Sequence, residues 1–86
     1  MKVLSQNIEV ICHFDKVGKI KPIRFKIEED SGCKVIKIEK IITTDLQKQC
    51  GNRVYVFTCM VVIDGIQKIC EIKYIIEDCR WLLFKI

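Results

Sequence analysis

Three observations predict an all-β fold for this chain, a small antiparallel barrel or two-layer roll of about six strands. First, its 86 residues include sixteen Ile, eight Val and three Thr, and no alanine at all. β-branched side chains favour strands and Ala is the best helix former, so a mainly helical protein is excluded. Second, apolar and polar residues alternate in segment after segment, which is the period of a strand. Third, the segments are separated by turns of a few residues, and strands joined that tightly must be antiparallel. Six twisted strands in so short a chain close into a barrel or fold into two packed layers. The length allows one domain, residues 1–86.

The first strand runs from Ile8 to Phe14, with Ile8, Val10, Cys12 and Phe14 on one face and Glu9, Ile11 and His13 on the other. A loop follows over Asp15 to Lys19, with Gly18 near its end, which suits a hairpin. The second strand, Pro22 to Glu28, places Ile23, Phe25 and Ile27 on one face. Pro22 has no N–H for a ladder, so it should start the strand or lie on an edge. Asp30-Ser31-Gly32 makes the next turn. The third strand, Cys33 to Ile42, puts Ile36 and Ile38 on one face and Val35 and Ile41 on the other.

Thr43 to Gly51 breaks the alternation. Thr44 and Gln47 have the spacing of a capping box and Gly51 suits a left-handed helix terminus, so the segment reads as one or two helical turns or a compact loop. Arg53 to Ile63 and Ile66 to Ile76 then flank Asp64-Gly65. Asp-Gly between apolar runs signals a type I′ hairpin, because both central residues of that turn need positive φ. With that turn, opposed residue numbers sum to 129. Tyr55 faces Tyr74, Phe57 faces Ile72 and Cys59 faces Cys70, all on the face assigned to the core. Glu77 to Arg80 turns the chain, and Trp81 to Ile86 is the last strand.

Half of the residues are hydrophobic, which excludes disorder, and no apolar run approaches the roughly 18 residues of a membrane span. The first residues, Met1 to Asn7, lack the apolar segment of a secretory signal, so we expect a cytoplasmic protein with no membrane partner. In that compartment the six cysteines, Cys12, Cys33, Cys50, Cys59, Cys70 and Cys79, are reduced and mostly structural. None of their spacings is a zinc-ligand pair. His13 and Cys12 are neighbours on a strand and point to opposite faces. No metal or other cofactor is expected. Cys59 and Cys70 form a hydrogen-bonded cross-strand pair, within disulfide distance but with less favourable side-chain directions. No cysteine has a base beside it, and no phosphate loop or spaced carboxylate pair occurs, so no catalytic residues are assigned and no enzyme is expected.

Two surfaces remain as candidates. Lys19, Lys21, Arg24 and Lys26 crowd the second strand and its approach, and Lys37 lies outward on the third, which makes a possible basic stripe for nucleic acid. Against it stand a net charge of only +4, a pI near 8.8 and few aromatics to spare from the core. Lys is also the ordinary guard of a strand edge. The other surface is apolar. Val54, Val56, Met60, Val62, Ile69 and Ile75 lie on the outer face of the central hairpin and need a cover, either the 43–51 excursion or a second copy in a homodimer.

The stretch Pro22-Ile23-Arg24-Phe25-Lys26, the Asp64-Gly65 hairpin and the ending Trp81-Leu82-Leu83-Phe84-Lys85-Ile86 together resemble a group of short uncharacterised proteins from clostridia and relatives. The resemblance covers most of the chain from about Ile8 onward. More distantly the chain is similar to a domain-of-unknown-function family with an early Pro-x-Arg-Phe strand and a final Trp-x-Leu strand. Some members of that family lie near translesion polymerase genes. The resemblance implies a bacterial cytosolic β domain and favours the nucleic-acid option, but it carries over no site. The expected function is a non-enzymatic binding or interaction module. The alternatives are a weak electrostatic nucleic-acid-binding domain and a thiol-based metal or redox module.

Overall fold

The computed structural model describes residues 1–86. Six strands follow one another: β1 (Val3–Phe14), β2 (Ile20–Glu29), β3 (Gly32–Gln49), β4 (Asn52–Ile63), β5 (Ile66–Ile75) and β6 (Arg80–Lys85). Each pairs with its sequence neighbour, and β1 pairs antiparallel with β6, so the sheet closes into a barrel. No helix is present, and therefore none long and apolar enough to cross a membrane.

The β4–β5 hairpin has the register expected from its turn, from Val54 opposite Ile75 to Ile63 opposite Ile66. Asp64 and Gly65 have φ of 51° and 77°, the left-handed pair that a type I′ turn needs. Phe57, Cys59, Cys70 and Ile72 are fully buried on its inner face. Phe25, Ile36, Ile38, Val61, Trp81 and Leu83 complete the core, and the half-buried Tyr55 and Tyr74 pack against it. Trp81 lies 5.7 Å from the Phe57 ring and 4.8 Å from that of Tyr74.

The 43–51 segment is neither helix nor loop. β3 continues through it to Gln49, and Cys50-Gly51 is a second two-residue turn with positive φ at both positions. Leu46 is the only large apolar residue between Thr43 and Gly51, so a helix there has no apolar face to bury and no tertiary packing to offset its nucleation. As a strand the same residues form a ladder with β4, from Thr43 opposite Thr58 to Gln49 opposite Asn52.

Bulges close the barrel. β3 carries an extra residue between Ile38 and Lys40 and another between Ile41 and Thr43. Each bends the strand and moves the following residues to the other face. Ile41, expected outside, therefore turns inward and packs against the core. After Lys37, β3 leaves β2 and pairs with β4 alone. Pro22 is buried at a register shift in the part of β2 that pairs only with β1, where no β3 acceptor needs its missing N–H. Phe14, expected on one face of β1 with Ile8, Val10 and Cys12, stands 53% exposed at the strand end, beyond the packed interior.

Exposed carboxylates fasten the loops. Asp15 Oδ1 accepts the backbone N–H groups of Val17 at 2.9 Å and Lys19 at 2.8 Å. These bonds, the one from Lys19 foremost, hold its carboxyl below the ordinary value. Glu77 accepts from the Arg53 backbone at 2.8 Å and from its guanidinium at 3.0 Å, and its carboxyl is lowered mainly by that side chain. Folded pKa values below the unfolded ones mean stability that is complete above the unfolded values and lost as pH falls through the folded ones. The thermal midpoint should therefore fall on acidification below about pH 4, and Glu77→Gln should flatten that fall. An unchanged midpoint down to about pH 2 would contradict it.

Candidate functional site

The outer face of β1, β2 and β3 carries the most distinctive surface chemistry. The register sets Ile11, Arg24 and Lys37 side by side across the three strands, and Glu9, Lys26 and Val35 in the neighbouring row. Arg24 and Lys37 are thus directly opposed like charges. Such pairs destabilise a sheet. Neither makes an ion pair, whereas Lys26 is held by Glu9 at 3.2 Å, which raises its pKa. Apolar side chains flank the two cations: Ile11 is 54% exposed and Val35 63%. A shallow depression runs among Glu9, Ile11, Arg24, Lys26 and Val35.

The other sequence-assigned basic residues lie farther along the same hairpin. Lys21 is exposed opposite His13. Lys19 ends the 15–19 loop, and with His13, Asp15, Lys21 and Thr44 it lines a groove where β3 has swung away from β2. The structure therefore brings Arg24 and Lys37 together, keeps Lys21 and Lys19 toward one end, and neutralises Lys26. The nearest aromatic rings are Phe25, which is buried, and Phe14, exposed at the end of β1 opposite Ile20. Sequence reasoning located the cations but not Ile11 and Val35, although the outward parity of both was readable from their strands.

The six apolar residues assigned to an interface divide. Val54 and Val56 are buried, Met60 and Ile75 are half-buried, and Val62 and Ile69 are exposed at 39% and 37%. Val54 shares an outer groove with Ile75, Leu82 and Phe84. Lys73 crosses that face: its ammonium sits 3.5 Å from the Phe84 ring centroid and donates to Gln49 at 3.2 Å. Val56 lies between Asp45 and Lys73. A lysine scores as polar in any alternation, yet its four-carbon stem covers apolar surface while its charge stays wet. The cover expected from the 43–51 excursion or from a second copy is thus supplied in part by Lys73, while 43–49 pairs edge to edge with β4 instead. Met60, Val62 and Ile69 remain as a small patch toward the Asp64-Gly65 end.

The thiols are distributed. Cys59 and Cys70 oppose each other in the core as free cysteines. The contact with Cys70, together with burial, pushes the Cys59 thiol far up. Cys12 is half-buried and raised by its burial. Cys33, Cys50 and Cys79 are exposed, each at a different strand end or turn. Tyr74 is raised by burial and by the Cys79 thiol beside it. No three His, Cys, Asp or Glu side chains are placed to share one metal ion. Comparison of the chain with protein-family models, curated proteins and solved structures found no match to any of them.

Proposed function

We propose that this chain is a non-enzymatic cytoplasmic binding module, which takes an acidic segment of a partner on the outer face of β1, β2 and β3 and self-associates weakly as a homodimer. The observation that carries the reading is Arg24 opposite Lys37 with no carboxylate on either. An anionic group between them would turn a repulsive pair into a clamp, and Arg favours planar carboxylate or phosphate partners. Ile11 and Val35 add apolar surface on both sides, which suits a peptide carrying acidic and apolar residues.

Nucleic acid is the second reading, favoured by the continuation of the cations through Lys21 and Lys19. Phosphate contacts release counterions, so about three contacts to a single strand make affinity fall roughly a hundredfold for a tenfold rise in salt. The test titrates a glutamate-rich peptide and a single-stranded oligothymidine at low salt, against the native chain and the Arg24→Glu, Lys37→Glu double variant. We expect the peptide to bind and the double variant to lose it. Oligonucleotide binding at low salt that is tighter than the peptide's, is lost in the double variant and falls about a hundredfold for a tenfold rise in salt would transfer the function to nucleic acid. If neither probe binds, or the double variant binds as well as the native chain, this face is not the site.

A further inference from the structure

The last seven residues of β3 use one side of their backbone only. From Ile38 onward β3 pairs with β4 alone, and between Thr43 and Gln49 that ladder runs without a bulge. Gln49 and Asn52 flank the two-residue turn, so they are the hydrogen-bonded pair nearest it. Alternation then directs the N–H and C=O groups of Gln49, Gln47, Asp45 and Thr43 to β4 and those of Lys48, Leu46 and Thr44 away from it. No turn, loop or side-chain hydrogen bond reaches these three backbones, and all three residues are exposed. Other strands also run past a neighbour, β5 over Ile66–Cys70 and β1 over Glu9–Phe14, but the open edge of β3 is longer. Two of the usual guards are missing, since the two bulges lie before Thr43 and the segment contains no proline; Lys48 is its one lysine.

We propose that this edge pairs antiparallel with the same edge of a second copy, about a two-fold axis through Leu46. The proposal rests on the self-association in the reading above and names its surface. The sequence of the segment decides the occupant. The bulge-free stretch is centred on Leu46, so this register alone uses all seven residues of both chains. It sets Leu46 against Leu46 of the second copy, covering a side chain that is 54% exposed. Thr44 meets Lys48, Asp45 meets Gln47 and Thr43 meets Gln49, and no like charges are opposed. Shifting the axis to residue 45 would place Asp45 against its own copy, and shifting it to residue 47 would set Leu46 against Lys48 and shorten the pairing. The outer row is already ordered along the strand: Gln47 donates to Asp45 at 2.8 Å and Gln49 to Gln47 at 2.6 Å. Across the axis, the Gln47 amide of each copy faces the Asp45 carboxylate of the other. A single strand-to-strand seam is small for an interface, so the dimer is weak and depends on concentration.

Amide hydrogen exchange by NMR and sedimentation at roughly 10 µM and roughly 1 mM test it. We expect mainly monomer at the lower concentration and dimer at the higher. Thr44, Leu46 and Lys48 amides should gain protection with dimerisation, while Thr43, Asp45 and Gln47 are protected at both. Leu46→Asp puts two carboxylates on the axis and should abolish the dimer while leaving the second set protected, which shows that the variant is folded. A dimer whose Thr44, Leu46 and Lys48 amides exchange freely overturns this surface but leaves self-association standing. A monomer at the higher concentration overturns both, an outcome that an edge kept for a foreign strand would give.

Discussion

Truncating Phe57 to alanine should remove a large share of the protein's stability. Phe57 is fully buried, 6.0 Å from the Tyr55 ring and 5.7 Å from that of Trp81. It sits on β4 opposite Ile72, at the centre of the hairpin that carries much of the core. Removing a buried Phe side chain costs about 3–5 kcal/mol, because transfer free energy is lost and a cavity remains. At about 0.05–0.15 kcal/mol per residue, a domain of this size has roughly 4–13 kcal/mol in all, so the loss takes a large share of it. Phe57→Leu, which keeps most of the volume, should retain the fold. Urea unfolding followed by Trp81 fluorescence measures both variants. A loss below about 1.5 kcal/mol for the alanine variant would show that the ring is not central to the packing.

The six thiols should separate into groups whose reaction rates differ by several orders of magnitude. Cys33, Cys50 and Cys79 are exposed, Cys12 is half-buried, and Cys59 and Cys70 have no accessible surface. A maleimide probe in excess should modify the first three at once and Cys12 more slowly. Cys59 and Cys70 react only when the barrel opens, so their rates should be lower by a factor on the order of 10³ or more. Under denaturing conditions without reductant, all six should be alkylated, as six free cysteines require. Fewer than four would mean that disulfides form, and fast labelling of Cys59 or Cys70 in native protein would mean that the closed core opens readily.

The parts of the fold that were legible in the sequence are those fixed by local rules. Asp64-Gly65 set a complete register, and through it the inward placement of Phe57, Cys59, Cys70 and Ile72. The parts that were not legible depend on single-residue irregularities. Binary alternation cannot place a bulge, so Ile41 was assigned to the wrong face and Thr43 to Gln49 lost their pattern beyond it. The capping-box spacing of Thr44 and Gln47 then suggested a helix, although that segment had nothing to bury. The Cys50-Gly51 turn was the available signal: a two-residue turn with polar residues before it and a strong strand after it. At the candidate site, the cations were visible as a cluster in sequence. That Arg24 and Lys37 are direct neighbours while Lys26 is neutralised by Glu9 follows only from the registers of three strands.

Closure of the barrel between β1 and β6 also governs how the molecule comes into being. The Cys50-Gly51 and Asp64-Gly65 hairpins join residues close in sequence and can form early. The seam that sets Ile8 opposite Trp81 unites two ends of the chain with almost all of it between them. Contacts of such long sequence separation slow folding, because the loop must be closed before they contribute. During synthesis, a chain emerging from the ribosome exposes the unpaired flank of β1 until β6 has followed it out. Trp81 and Leu83, which fill the core, arrive with the strand that removes that flank. Cooperative packing of the interior and protection of the β1 edge are therefore one event, completed only after β6 has been made.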